Sequence, residues 1–239
     1  MKRSELPIFS DNLRSSASWA DLLAVEQKSW KEALSTPDAR RETESRIRDI
    51  QAKQTLLRTS QKFDEDRLSA AAGLISAWAG ETEARLTVER LLEVHGALMG
   101  AQPGEDLLRK TEPLPINERH DPTPARLLPR MLDNAFDWFA TPGFNELHPV
   151  EQSTVVYLRL LDLHPFPQLT EATALLAAGF YTERAGLPPL IIFADGDTQE
   201  RYSSAIDAAF RMLTQPLVEF FAEMLRRAMR LGAGAEDEK

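Results

Sequence analysis

Apolar residues recur along this chain at steps of three and four, and almost nowhere alternate, so the pattern predicts helices throughout. Trp19, Leu22, Leu23 and Trp30, with Glu26 in the same register, predict a first helix from Ser18 to about Leu34. Asp38 to Thr59 is charged, carries Ile47, Ile50, Leu56 and Leu57, and reads as a long, solvated surface helix. Ser60 to Leu68 reads as a polar, acidic connector before an alanine-rich segment around Ala70 to Trp78. Val88, Leu91, Leu92, His95, Leu98 and Met99 form a stripe that Gly100 closes. Residues 102–124 are rich in proline and charge, with only Leu114 and Ile116 alternating between prolines, which predicts a loop or short irregular hairpin. A further stripe, Leu127, Leu128, Met131, Leu132, Ala135, Phe136 and Phe139, is expected to stop at Pro142-Gly143.

Pro149 to Leu163 is apolar nearly all round, and Glu171 to Ala185 is small and apolar, with Gly186 suited to the position just past a helix end. Helices without a polar face belong inside a bundle, so these two are predicted to be its buried pair. Two amphipathic helices follow, about Thr198 to Leu213 and Pro216 to Leu231, and residues 232–239 read as a disordered tail. Trp19, Trp30, Trp78 and Trp138 lie on amphipathic stripes and read as core residues. The expected architecture is all-α: an N-terminal helical extension over 1–59 and one domain over 60–231.

Charge and composition narrow the chemistry. A formal net charge of -9 opposes general nucleic-acid binding, which relies on clustered Lys and Arg. No cysteine occurs, so disulfides and thiolate metal sites are excluded. The four histidines contain no i, i+4 pair, and no metal site is expected. No segment approaches the ~20 apolar residues of a membrane span, and Met1 to Pro7 leads into no apolar signal core. A bacterial, cytoplasmic setting is the expectation.

The candidate chemistry sits between the two buried helices, in Leu163-His164-Pro165-Phe166-Pro167-Gln168-Leu169-Thr170-Glu171-Ala172. A histidine at the end of one helix faces the start of the next, where free backbone N–H groups can hold an anion. Yet the turn has no glycine and no arginine, and it carries a carboxylate at the helix entrance. His95 reads as a packing residue near a helix end, His120 lies in the polar loop, and His148 stands at a helix start.

The ordered set of segments resembles the Fic (Fic/Doc) family of all-helical proteins, which typically transfer AMP from ATP to a protein hydroxyl. The resemblance covers roughly Ser60 to Leu225 and rests on anchors in sequence order. They are Leu86 to His95, Leu108-Arg109 with Asp121 to Pro124, His148-Pro149 fourteen residues before His164-Pro165-Phe166, Arg201-Tyr202, and Gln215 to Phe221. Against the family motif H-P-F-x-[D/E]-G-N-G-R-x-x-R, only the first three positions survive. The resemblance implies that His164 is the base for the target hydroxyl and that Pro165 and Phe166 fix the turn. Gln168 stands where the magnesium-binding acid is expected, and Leu169 and Glu171 stand for the glycines. Thr170 replaces the asparagine, and Ala172 and Leu175 replace both arginines.

Thr170 is therefore expected to cap the helix and Glu171 to fill its positive pole, repelling a triphosphate. A degenerate inhibitory segment is expected over 60–69, with Ser60 and Asp64 at its marker positions and Leu175 where its arginine partner would stand. The flap of the family, about 102–124 here, implies protein docking through Leu114 and Ile116, although prolines 113 and 115 remove donors and a plain loop is the competing reading. His164 is either a retained base or a structural residue. The leading expectation is a degenerate Fic-fold protein that needs no cofactor and binds a partner, with a homodimer possible. The alternative is an active transferase, taking Mg-ATP or another phospho-donor in an unusual way, with Arg109, Arg159 or Arg184 supplying charge.

Overall fold

The computed structural model describes residues 17–59, 64–102, 104–113 and 120–235. Leu114 and Ile116 of the expected flap, and Ser60 of the expected inhibitory segment, lie outside the described residues. Helices account for the architecture, with no strand among the described residues. They are α1 Ala17–Ala33, α2 Pro37–Arg58, α3 Glu65–Ala79, α4 Val88–Met99, α5 Leu128–Phe139, α6 Pro142–Asn145, α7 Pro149–Leu163, α8 Thr170–Arg184, α9 Gly196–Ala209 and α10 Gln215–Gly232.

α7 and α8 form the central pair and are buried along almost their whole lengths, as their uniform apolarity predicts. α3 and α4 pack on α8, α5 and α10 on α7, and α9 on α10. α1 lies along α10, while α2 bridges α3 and α10. The start of α7 is fixed by a reciprocal cap: His148 Nδ1 accepts from Val150 N–H, and Glu151 accepts from His148 N–H at 2.8 Å. Both orphan donors are satisfied at the point where Pro149 enters the first turn.

Four boundaries depart from the sequence expectations. α3 begins at Glu65, inside the expected connector, because the Asp64 carboxylate caps it through Asp66 N–H at 3.0 Å. Asp64, a marker position of the expected degenerate inhibitory segment, serves here as a helix cap. α5 stops at Phe139, short of Pro142 as expected, but Pro142 then opens the unexpected α6, capped by Thr141. α9 ends at Ala209 rather than Leu213, through a turn in which Met212 takes a left-handed φ of 70°. α10 runs on to Gly232, where a Cβ would meet Trp30 Cζ3 at 2.6 Å, so α1 and α10 approach closely only because that residue is glycine. Residues 236–239 of the expected tail lie outside the described residues.

Candidate functional site: the turn between the buried helices

α7 stops at His164, which adopts φ 44° and ψ 60° and whose N–H still donates to the Leu160 carbonyl at 2.9 Å. The carbonyls left over at this helix end are collected by one side chain. Arg109, 4% exposed, donates from Nε to His164 O at 2.5 Å and from Nη2 to Leu163 O at 3.1 Å. The same guanidinium reaches Thr111 O and Thr123 O, and the Arg109 N–H donates to Pro165 O at 2.9 Å. A cation at a helix C-terminus is well placed for the macrodipole. Arg109 is thus consumed in stapling the loop to the turn.

A second staple lies one turn back. Thr123 N–H donates to Asp162 O, His120 Nε2 lies 2.9 Å from Asp162 Oδ1, and Arg159 pairs with the same carboxylate. The His120 ring stacks on Phe210 with centroids 4.1 Å apart. Arg184 points elsewhere, to the carbonyls of Thr82 and Ala84. The expectation that Arg109, Arg159 or Arg184 brings free charge to the turn is corrected: each is engaged by carbonyls or by Asp162.

The ring of His164 is half-buried, and burial first, then the Arg109 charge, holds its pKa below the ordinary histidine value. A neutral imidazole at neutral pH is the form that accepts a proton. Pro165 and Phe166 are buried, and Phe166 stacks flat on His95 with centroids 3.6 Å apart. His95 Nδ1 lies 2.9 Å from Thr173 Oγ1, and that hydroxyl donates to Leu169 O at 2.9 Å. With the threonine proton on the carbonyl, His95 Nδ1 is the donor. Burial pushes the His95 pKa down to about 4, so it is a neutral packing group, as expected.

One local expectation fails at the start of α8. Thr170 is not the cap: Leu169 occupies that position with no side-chain bond to the helix, and Thr170 is the first helical residue. The Thr170 hydroxyl turns back instead, accepting from Phe166 N–H at 3.3 Å and donating to Phe166 O at 3.1 Å. Without a glycine the turn is still left-handed, for Leu169 holds φ 53° and ψ 20° while being only 9% exposed. Burial of an isobutyl group, worth ~1.5–3 kcal/mol, outweighs the ~1–2 kcal/mol that the conformation costs a non-glycine residue. Pro167 and Gln168 are exposed at the tip of the turn, whereas Ala172 and Leu175 are buried.

Glu171, in the first turn of α8, anchors a polar cluster. Its Oε1 accepts from Arg58 Nη2 at 2.6 Å and from the hydroxyls of Tyr157 and Tyr202 at 3.3 Å each. The two hydroxyls lie 2.6 Å apart, and the Arg58 guanidinium sits 4.5 Å from the centre of the Tyr202 ring. Burial, and after it the Glu171 charge, pushes both phenols above their usual range. Burial opposes the Arg58 charge, but Glu171 and the tyrosines leave its pKa raised. Sequence reasoning named Glu171 and missed Arg58, Tyr157 and Tyr202. Tyr202 stood in a quoted anchor, but nothing in a charged surface helix marks Arg58 as the residue that reaches α8.

A buried helix pair joined by a His-Pro-Phe turn, with flanking helices on both faces, defines the class as a Fic-fold helical domain. Residues 85–182 match the family model described as Fic/DOC family. The Nematostella vectensis protein adenylyltransferase Fic is 29% identical over 147 residues, 60% of this chain and 33% of that protein. The Aedes aegypti counterpart is 26% identical over 173 residues, 72% of this chain and 34% of its own. The chain thus spans about a third of the length of the curated relatives it matches. Among solved structures, Caenorhabditis elegans Fic-1 (aa134–508) superposes with a TM-score of 0.73 at 17% identity, covering 91% of this chain and 72% of that one. A Fic-domain-containing signaling protein from Bacteroides thetaiotaomicron gives 0.66 at 17% identity, covering 91% and 100%. At such identities the structural likeness establishes fold alone.

Proposed function

We propose that this Fic-type protein has a closed nucleotide-phosphate site and acts by binding a partner rather than by transferring AMP. The observation that carries the reading is the ion pair of Glu171 with Arg58 at the start of α8, where a phosphate would need positive potential. The residues present do not fit a magnesium triphosphate. Gln168 offers a neutral amide to a hard dication, the Thr170 hydroxyl already takes the Phe166 N–H, and no arginine stands at positions 172 or 175.

Titration of the protein with ATP and magnesium by calorimetry tests this. The expected result is no saturable binding tighter than about 1 mM, or roughly -4 kcal/mol. A micromolar dissociation constant overturns the proposal.

A transferase is the second reading, and the neutral, half-buried His164 favours it. In that reading His164 accepts the proton of a target hydroxyl, while the donor is held by groups other than those of the family motif. Incubation with labelled ATP and a protein extract separates the two. Label that appears with the native chain and disappears with His164→Ala establishes the transferase; no label above background supports the binding protein.

A further inference from the structure

The N-terminal extension meets the start of the motif helix through one residue. Arg58 is the last residue of α2, and its side chain is 8% exposed although it sits at the end of a charged surface helix. Besides Glu171 it donates to Gln199 Oε1 at 2.6 Å, so a single guanidinium joins α2, α8 and α9. One other polar tie lies a turn earlier, where Gln54 Oε1 accepts from Ala194 N–H at 2.8 Å. The face that α2 buries is thin and partly polar: Thr43, Ile47, Gln51, Ala52 and Thr55. Leu57, beside the guanidinium, is 63% exposed and adds no packing there. A helix end held by directional polar contacts rather than an apolar seam opens locally at low cost, because burial supplies little of its stability. The Glu171 side chain is half-exposed, so water reaches one partner without the other moving.

From this arrangement we propose that the last turn of α2 is a latch, closed by Arg58 on Glu171, that covers the start of α8 and opens independently of the bundle. Opening uncovers the buried Tyr157 and Tyr202 hydroxyls and the first turn of α8, and so controls what a partner meets there. The inference rests on the closed-site reading, since it takes Glu171 as the group that occupies the helix start. It assigns to the extension a regulatory contact rather than a purely structural one.

Amide hydrogen exchange on the full chain, read by mass spectrometry, tests the latch without nucleotide and so apart from the calorimetry. The segments to follow are residues 51–58 and 169–176, with α4 and α10 as internal references. Arg58→Gln and Glu171→Gln should each raise exchange at least about tenfold in both segments and leave the references unchanged. The double variant should match either single one, and exchanging the charges (Arg58→Glu with Glu171→Arg) should restore at least part of the protection. Unchanged exchange in the single variants overturns the latch. So does a rise across α4 and α10, which would make Arg58 a support for the whole fold, and so does additivity in the double variant.

Discussion

Replacing Arg109 by Met keeps the aliphatic stem of that side chain and deletes its donors, which isolates what the guanidinium does. Four carbonyls lose a partner: Thr111, Thr123, Leu163 and His164. Thr111 is exposed and Thr123 half-buried, so water replaces much of what those two lose. The other two stand at the buried end of α7, where an unsatisfied acceptor costs about 1–3 kcal/mol. Against this, the native fold no longer has to desolvate a guanidinium. The net expectation is a loss of about 3 kcal/mol, or roughly 6–12 °C in melting temperature for a chain of this size. Urea denaturation with an unchanged slope measures the first quantity. Nuclear magnetic resonance titration of the His164 ring supplies a second readout. The positive charge that helps hold its pKa down is gone, so the value should rise. Arg109→Lys should retain much of the effect on His164 but little of the stability, because an ammonium cannot reproduce the fork. A loss below about 1 kcal/mol together with an unmoved His164 pKa would refute the idea that one side chain holds the turn.

Two further outcomes follow from the same geometry. Met212→Gly should stabilise the fold by about 1 kcal/mol, since Met212 is 59% exposed, holds φ 70°, and gives up little packing. A melting temperature that fails to rise in calorimetric scans would count against it. Buried neutral His95 should make stability depend on pH. Its folded pKa of about 4 lies below the ordinary histidine value of 6.5, so its contribution is full above pH 6.5 and is lost as pH falls toward 4, by roughly 3 kcal/mol in all. His95→Phe, which preserves a stacked ring on Phe166, should flatten that part of the stability-against-pH curve; an unaltered slope would assign the dependence to other groups.

The helices were legible because apolar spacing is dictated by burial, and burial here is nearly uniform along α7 and α8. Boundaries were harder, since Asp64 and Thr141 cap helices in places where a reading by apolar stripe sees only polar connector or a proline stop. At the turn, His164, Phe166 and Glu171 were found from the motif. The partners that give them meaning were not: Arg58 lies 113 residues from Glu171 and Arg109 lies 55 from His164. A hydrogen bond over such a separation leaves no trace in local periodicity.

The left-handed Leu169 and the failed cap at Thr170 have a common physical cause. Propensity arguments treat a helix start as an isolated end, for which a glycine permits the turn and a threonine satisfies the first amides. Here the turn is enclosed. Phe166 is pinned flat against His95, and Thr173 ties His95 to the Leu169 carbonyl. Backbone bonds fix His164 and Pro165 from the other side. In that enclosure the left-handed conformation at residue 169 is imposed by its surroundings, and a buried leucine fills the space while tolerating the strain. Thr170, already inside the helix, serves the turn behind it rather than the amides ahead of it. The charge that an open helix start would draw from a ligand is drawn instead from Glu171, and Arg58 holds that carboxylate in place. The positive pole of α8 thus carries a resident carboxylate, and its countercharge comes from the last residue of α2.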